Sequence, residues 1–184
     1  MALYPEPNKK VKLDSEVLSI LAELRILGEL RTLIELLHND LRSRTDYNNG
    51  AIYNSIQALH NIDPAIPLVE DHNPIDLDNY PNLATIILDS VRNEGRNEGR
   101  NLIINENNLT VNSTNLILQG ILDGLNATNP QFQELESLQI SSNELDGQNA
   151  AMNEQSMNLL SDILLHPHSL ITDLDISDNN GLFY

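Results

Sequence analysis

The chain has 184 residues, 40% of them hydrophobic, no cysteine and a formal net charge of −17. One ordinary domain core fits that length, and the missing cysteines exclude disulfides, thiolate metal sites and a cysteine nucleophile. All 10 Lys and Arg residues lie at or before Arg100, whereas 11 of the 27 acidic residues follow it. A half without cations repels phosphates and anionic lipid, so nucleic acid and membrane surfaces are poor partners and a basic protein surface is favoured. Solvation of the surface is the plainer reason for the same charge. The opening MALYPEPNKK lacks the apolar stretch of a signal peptide and no later run is long enough to cross a bilayer, which predicts an unprocessed cytoplasmic protein.

In chain order, residues 1–12 hold Pro5, Pro7 and three lysines without apolar periodicity and read as a flexible arm. Asp14 or Ser15 is placed to cap a helix carrying Val17, Ile20, Leu21, Leu24, Leu27, Leu30, Leu33, Ile34, Leu37 and Leu41 at helical spacing. Gly28 lies inside it, as a kink or as an ordinary interior glycine. The heptad-like look fits a coiled coil, but the stripe is wider than a strict seam, so packing within the domain is expected. After the turn-prone TDYNNG, a second helix sets Ile52, Ile56 and Leu59 on one face and stops before Asp63 and Pro64. Residues 13–61 thus read as a helical cap.

The strongest pattern lies in the remainder, residues 62–184. LIINENNL from Leu102, LQISSNEL from Leu138 and LDISDNNG from Leu174 recur at a spacing of 36 residues. Alternating apolar residues suit a short buried strand, and Asn107, Asn143 and Asn179 can bond turn backbone groups otherwise left unpaired. Leu116, Leu118, Ile121, Leu122 and Leu125 mark a helix between the first two copies; Leu159, Leu160, Ile163 and Leu164 mark one before the third. A weaker unit starts at Ile66 and Leu68, with Asp71 in the asparagine's place and Leu83, Ile86, Ile87 and Val91 as its helix; Pro64, Pro67 and Pro74 make it an entry edge.

This pattern resembles the leucine-rich-repeat family, in its ribonuclease-inhibitor-like class, from about Ile66 to Tyr184. The copies are longer than the family's repeat, and Gly99 stands where the first copy should be apolar. The resemblance implies an α/β fold: a short leucine-rich-repeat solenoid of three to four repeats, with a curved parallel sheet and convex helices, behind the helical cap. It also implies binding through the concave strand face. Strand alternation exposes Asn101, Ile103 and Asn105 in the first copy, Ser137, Gln139 and Ser141 in the second, and Asp173, Asp175 and Ser177 in the third. The asparagine-rich character is also similar to that of secreted leucine-rich-repeat effectors of intracellular bacteria, which implies the host cytosol as a location.

No catalytic set emerges from His38, His60 and His72. Asp173, Asp175 and Ser177 match the start of an EF-hand loop, but Asp178 and Tyr184 occupy the positions of its glycine and glutamate. His166 and His168 around Pro167 read as a helix stop, not as metal ligands. NEGRNEGR, residues 93–100, reads as a solvated connector or an internal electrostatic contact, and the sequons at Asn108, Asn112 and Asn126 as coincidence. The expectation is a non-enzymatic adaptor or inhibitor without cofactor or metal, binding a basic protein surface. The alternatives are an enzyme or regulatory domain with its site on the helical cap, and a module that self-associates through an uncapped C-terminal end where Leu182, Phe183 and Tyr184 lie.

Overall fold

A computed structural model describes residues 15–70, 73–92, 100–143 and 150–179. These form helices α1 (Ser15–Ser43), α2 (Ala51–Ile62) and α3 (Pro81–Asp89), strand β1 (Asn101–Ile103), helix α4 (Val111–Leu125), strand β2 (Ser137–Gln139), helix α5 (Glu154–Leu165) and strand β3 (Asp173–Asp175). The predicted arm, Asp71, His72, most of NEGRNEGR and the segment from Asn180 to Tyr184 lie outside the described residues.

The expected leucine-rich-repeat solenoid is not what forms. The described chain is predominantly helical, with five helices and a single sheet of three parallel strands, each three residues long. Backbone conformation keeps the strands short: Glu106, Ser142 and Asp178 adopt φ of 60°, 52° and 54° and bend the chain soon after each strand. The unit expected at Ile66 makes no strand; Ile66 N–H closes a turn on the Asp63 carbonyl at 3.0 Å, in keeping with the prolines around it.

Another segment borders the sheet instead. TDYNNG, expected only as a turn, runs beside β1 with a parallel bridge between Asp46 and Ile103. Tyr47 N–H donates to the Ile103 carbonyl at 2.8 Å and Ile103 N–H to that of Thr45 at 3.0 Å. Tyr47 is buried, and its hydroxyl donates to the Leu41 carbonyl at 2.7 Å, which ties the end of α1 to the sheet edge. Gly50, at φ 71°, then supplies the left-handed residue that admits α2.

The core lies between helices and sheet. Ile52 and Ile56 of α2, Leu83, Ile86 and Ile87 of α3, and Ile117, Leu118 and Ile121 of α4 meet Leu102, Ile104, Leu138 and Ile140 in one cluster. Helix starts are set by short polar residues: Thr110 accepts Ser113 N–H at 3.1 Å, and Asn153 and Ser156 exchange two bonds of 3.0 Å at the start of α5. The Ser156 hydroxyl also reaches Asn115 Oδ1 at 2.6 Å, so the cap of α5 fixes its place beside α4.

Helix α1 departs from expectation. It passes through Gly28 unbroken, and every residue from Ser15 to Glu29 is exposed, so only its second half packs on the domain through Leu37 and Leu41. Apolar periodicity there marks a face that no described part of the chain covers.

Candidate functional site

The parallel register stacks the predicted binding residues in rows. Asn101, Ser137 and Asp173 are paired across the three strands, as are Ile103, Gln139 and Asp175. Backbone bonds from Glu106 N–H to Ser141 C=O at 3.1 Å and from Ser142 N–H to Ser177 C=O at 2.9 Å carry Asn105, Ser141 and Ser177 into a third row. All nine residues therefore share one face, but they are not equally accessible. Ser137 and Ser141, expected to be exposed, are buried, while Asn101, Asp173 and Ser177 are open to solvent.

The two serines are buried because their neighbours bond them. The Ser137 hydroxyl donates to Asp173 Oδ2 at 2.7 Å, and Ser141 N–H donates to Asn105 Oδ1 at 2.7 Å. Asn105 Nδ2 reaches Gln139 Oε1 at 3.4 Å, and Gln139 Nε2 lies 3.4 Å from Asp173 Oδ2. The face is thus a linked polar surface that ends in carboxylates. Among the described residues, no Lys or Arg lies within ion-pair distance of Asp173 or Asp175. Neutral donors stabilise both carboxylates without neutralising them.

Asp175 shows the effect of such donors. The Ser177 hydroxyl at 2.7 Å and the Ser177 N–H at 3.0 Å hold its carboxyl below the usual value, opposed by partial burial and aided by Ser141. A depressed carboxyl stabilises the folded state above its unfolded pKa, and that contribution is lost as pH falls through the folded pKa. We expect the Asp175 carboxyl carbon, followed by NMR, to titrate below an ordinary aspartate and to move up toward it in Ser177→Ala; an unmoved midpoint would exclude this arrangement.

Beneath the face runs the asparagine series. Asn107 Oδ1 accepts Ile52 N–H at 3.0 Å, Asn143 Oδ1 accepts Asn107 N–H at 2.9 Å and Asn179 Oδ1 accepts Asn143 N–H at 3.1 Å. Each amide nitrogen donates in turn to the preceding layer: Asn107 to Tyr47 C=O, Asn143 to Ile104 C=O and Asn179 to Ile140 C=O. The series carries no ligand chemistry, but it holds the three rows level.

The remaining candidates stay apart. His166 Nε2 lies 3.2 Å from Asn126 Oδ1, its Nδ1 accepts His168 N–H at 3.2 Å, and the two rings are 5.5 Å apart. Among the described residues no group of three His, Asp or Glu side chains is arranged to hold a metal. Between the helical cap and the segment leading into α3, a hollow of about 300 Å³ is lined by Ile34, His38, Leu59, Asp63, Tyr80 and Leu83 among others. Burial, with a smaller push from Arg42, holds His38 below its usual pKa. Arg100 of the NEGR duplication meets Glu136 at 3.5 Å, an internal ion pair between exposed side chains.

Fold and face together define a mostly helical domain with a small parallel sheet on which two of the three rows end in aspartate. No family model, curated protein or solved structure matches the chain. Among the described residues no helix is long and apolar enough to cross a membrane.

Proposed function

We propose that the protein is a protein-binding module, an adaptor or inhibitor whose sheet face engages a basic surface on its partner. The observation that carries this reading is the convergence of Asp173 and Asp175 on one end of the three-row face, with no cation near either carboxylate among the described residues. Neutral donors leave the two negative charges in place, so an approaching Lys or Arg gains attraction without first displacing an internal partner. Asn101, Ile103, Asn105, Gln139 and Ser177 supply the surrounding contact surface, while Ser137 and Ser141 act from beneath by orienting Asp173 and Asp175. Action inside a host cell, as an effector or effector regulator, is the setting implied by the asparagine-rich resemblance and forms part of the proposal.

The test is capture from cell extract with the full chain, comparing wild type with Asp173→Lys plus Asp175→Lys. Both residues lie on β3 at the sheet edge, so the fold is expected to survive, as circular dichroism will check. The expected result is at least about a tenfold loss of the specifically captured protein, the scale of reversing two interface charges. An unchanged set of captured proteins at unchanged yield would remove the acidic face from consideration.

A further inference from the structure

We propose that the protein self-associates through the first half of α1, which pairs antiparallel with the same segment of a second copy. Val17, Ile20, Leu21, Leu24 and Leu27 are 41, 55, 49, 58 and 60% exposed, although all five are aliphatic. Their spacing puts them on one broad stripe of α1, and Gly28 continues that stripe with nothing within 4 Å of a built Cβ. A solvent-exposed glycine inside a helix weakens it, but a close helix crossing uses the missing side chain.

The stripe is complementary to itself. In an antiparallel pair with Leu21 level with Leu24 of the second copy, Val17 stands over Gly28, a large residue over a small one. Ile20 then falls within about 3 Å along the axis of Leu27, and Glu16 within the same distance of Arg31. Glu16 and Arg31 lie on the same side of the stripe, so the two-fold produces two inter-copy ion pairs. Arg31 already reaches Glu35 on its own helix at 3.3 Å and is 83% exposed, which leaves its remaining donors available. Each stripe residue has on the order of 80 Å² to cover, about 800 Å² over five residues and two copies. With the aliphatic stems of the flanking side chains the pair reaches about 1,000 Å², where specific interfaces begin.

The β3 edge, which no described strand pairs, is a worse site for self-association. Two β3 strands paired about a two-fold would set Asp173 against Asp175 of the other copy, a like-charge contact at both ends of the short strand. This counts against the C-terminal docking considered from the sequence and leaves α1 as the self-complementary surface.

Sedimentation velocity of the full chain across a wide concentration range at physiological salt tests the proposal. Wild type is expected to approach twice the chain mass, and Leu24→Glu, at an exposed position that leaves the fold intact by circular dichroism, is expected to return it to one chain mass. Arg31→Glu is expected to weaken association about fivefold, with recovery when Glu16→Arg is added. A single-chain mass for wild type at every concentration, or an oligomer unmoved by Leu24→Glu, overturns the proposal. So does a charge-exchanged double variant no stronger than Arg31→Glu alone.

Discussion

Asn143→Ala is expected to destabilise the fold by about 3–5 kcal/mol, read as a fall in the urea midpoint at constant slope. Asn143 is 0% exposed. Its Oδ1 is the acceptor for Asn107 N–H at 2.9 Å, and its Nδ2 donates to the carbonyls of Ile104 at 2.8 Å and Ser141 at 3.3 Å. Alanine leaves Asn107 N–H and the Ile104 carbonyl buried without this partner, while the Ser141 carbonyl keeps Glu106 N–H at 3.1 Å; each orphaned group costs about 1–3 kcal/mol because no water replaces the lost bond. The side-chain void adds to the loss. Asn143→Asp is the sharper control: it keeps an acceptor for Asn107 but turns a second oxygen toward two carbonyls, so it should fare no better than alanine at neutral pH. Asn112, exposed on α4, can be replaced at a much smaller cost. A loss below about 1 kcal/mol for Asn143→Ala would mean that the series is not what holds the layers level.

The contrast between Asn143 and Tyr47 separates what was legible in the sequence from what was not. The 36-residue spacing is written in the sequence and reappears as strand register, Leu102 beside Leu138 beside Leu174, because parallel strands separated by equal lengths of chain pair residue for residue. The asparagines are legible for the same reason. A solenoid does not follow, because the spacing says nothing of how long each strand runs. The left-handed residues at Glu106, Ser142 and Asp178 stop the strands early, and none is a glycine that would have announced it. Thr45 to Asn49 was unreadable as a sheet neighbour, since it pairs through backbone groups and carries no alternation. The site was legible as a face, but Ser137 and Ser141 were misplaced because period-two alternation ignores the neighbouring side chains that cover them. For α1, apolar spacing located the helix and could not say that half of its face lacks a partner among the described residues.

Phe132→Ala is the second large effect, with an expected loss of about 3–5 kcal/mol from the cavity left by a buried aromatic ring. Phe132 is 1% exposed and lies where the chain turns back from α4 toward β2, at φ 62°. The turn is anchored by Gln131 N–H, which donates to the Gly124 carbonyl at 2.9 Å. The ring fits there only because residue 124 is glycine: a Cβ at Gly124 would collide with Cε2 of Phe132 and lie 2.5 Å from its Cδ2. Gly124→Ala therefore carries opposed terms, about 1 kcal/mol gained from helix propensity against about 1–3 kcal/mol of overpacking. Overpacking wins, since the ring is enclosed and cannot move aside. The two positions must then couple. Phe132→Leu in the Gly124→Ala background removes the collision, and the double variant should be more stable than the sum of the single losses by about 1 kcal/mol. Strict additivity in that cycle, measured by urea unfolding, would show that glycine at 124 serves α4 alone and not the seat of the ring.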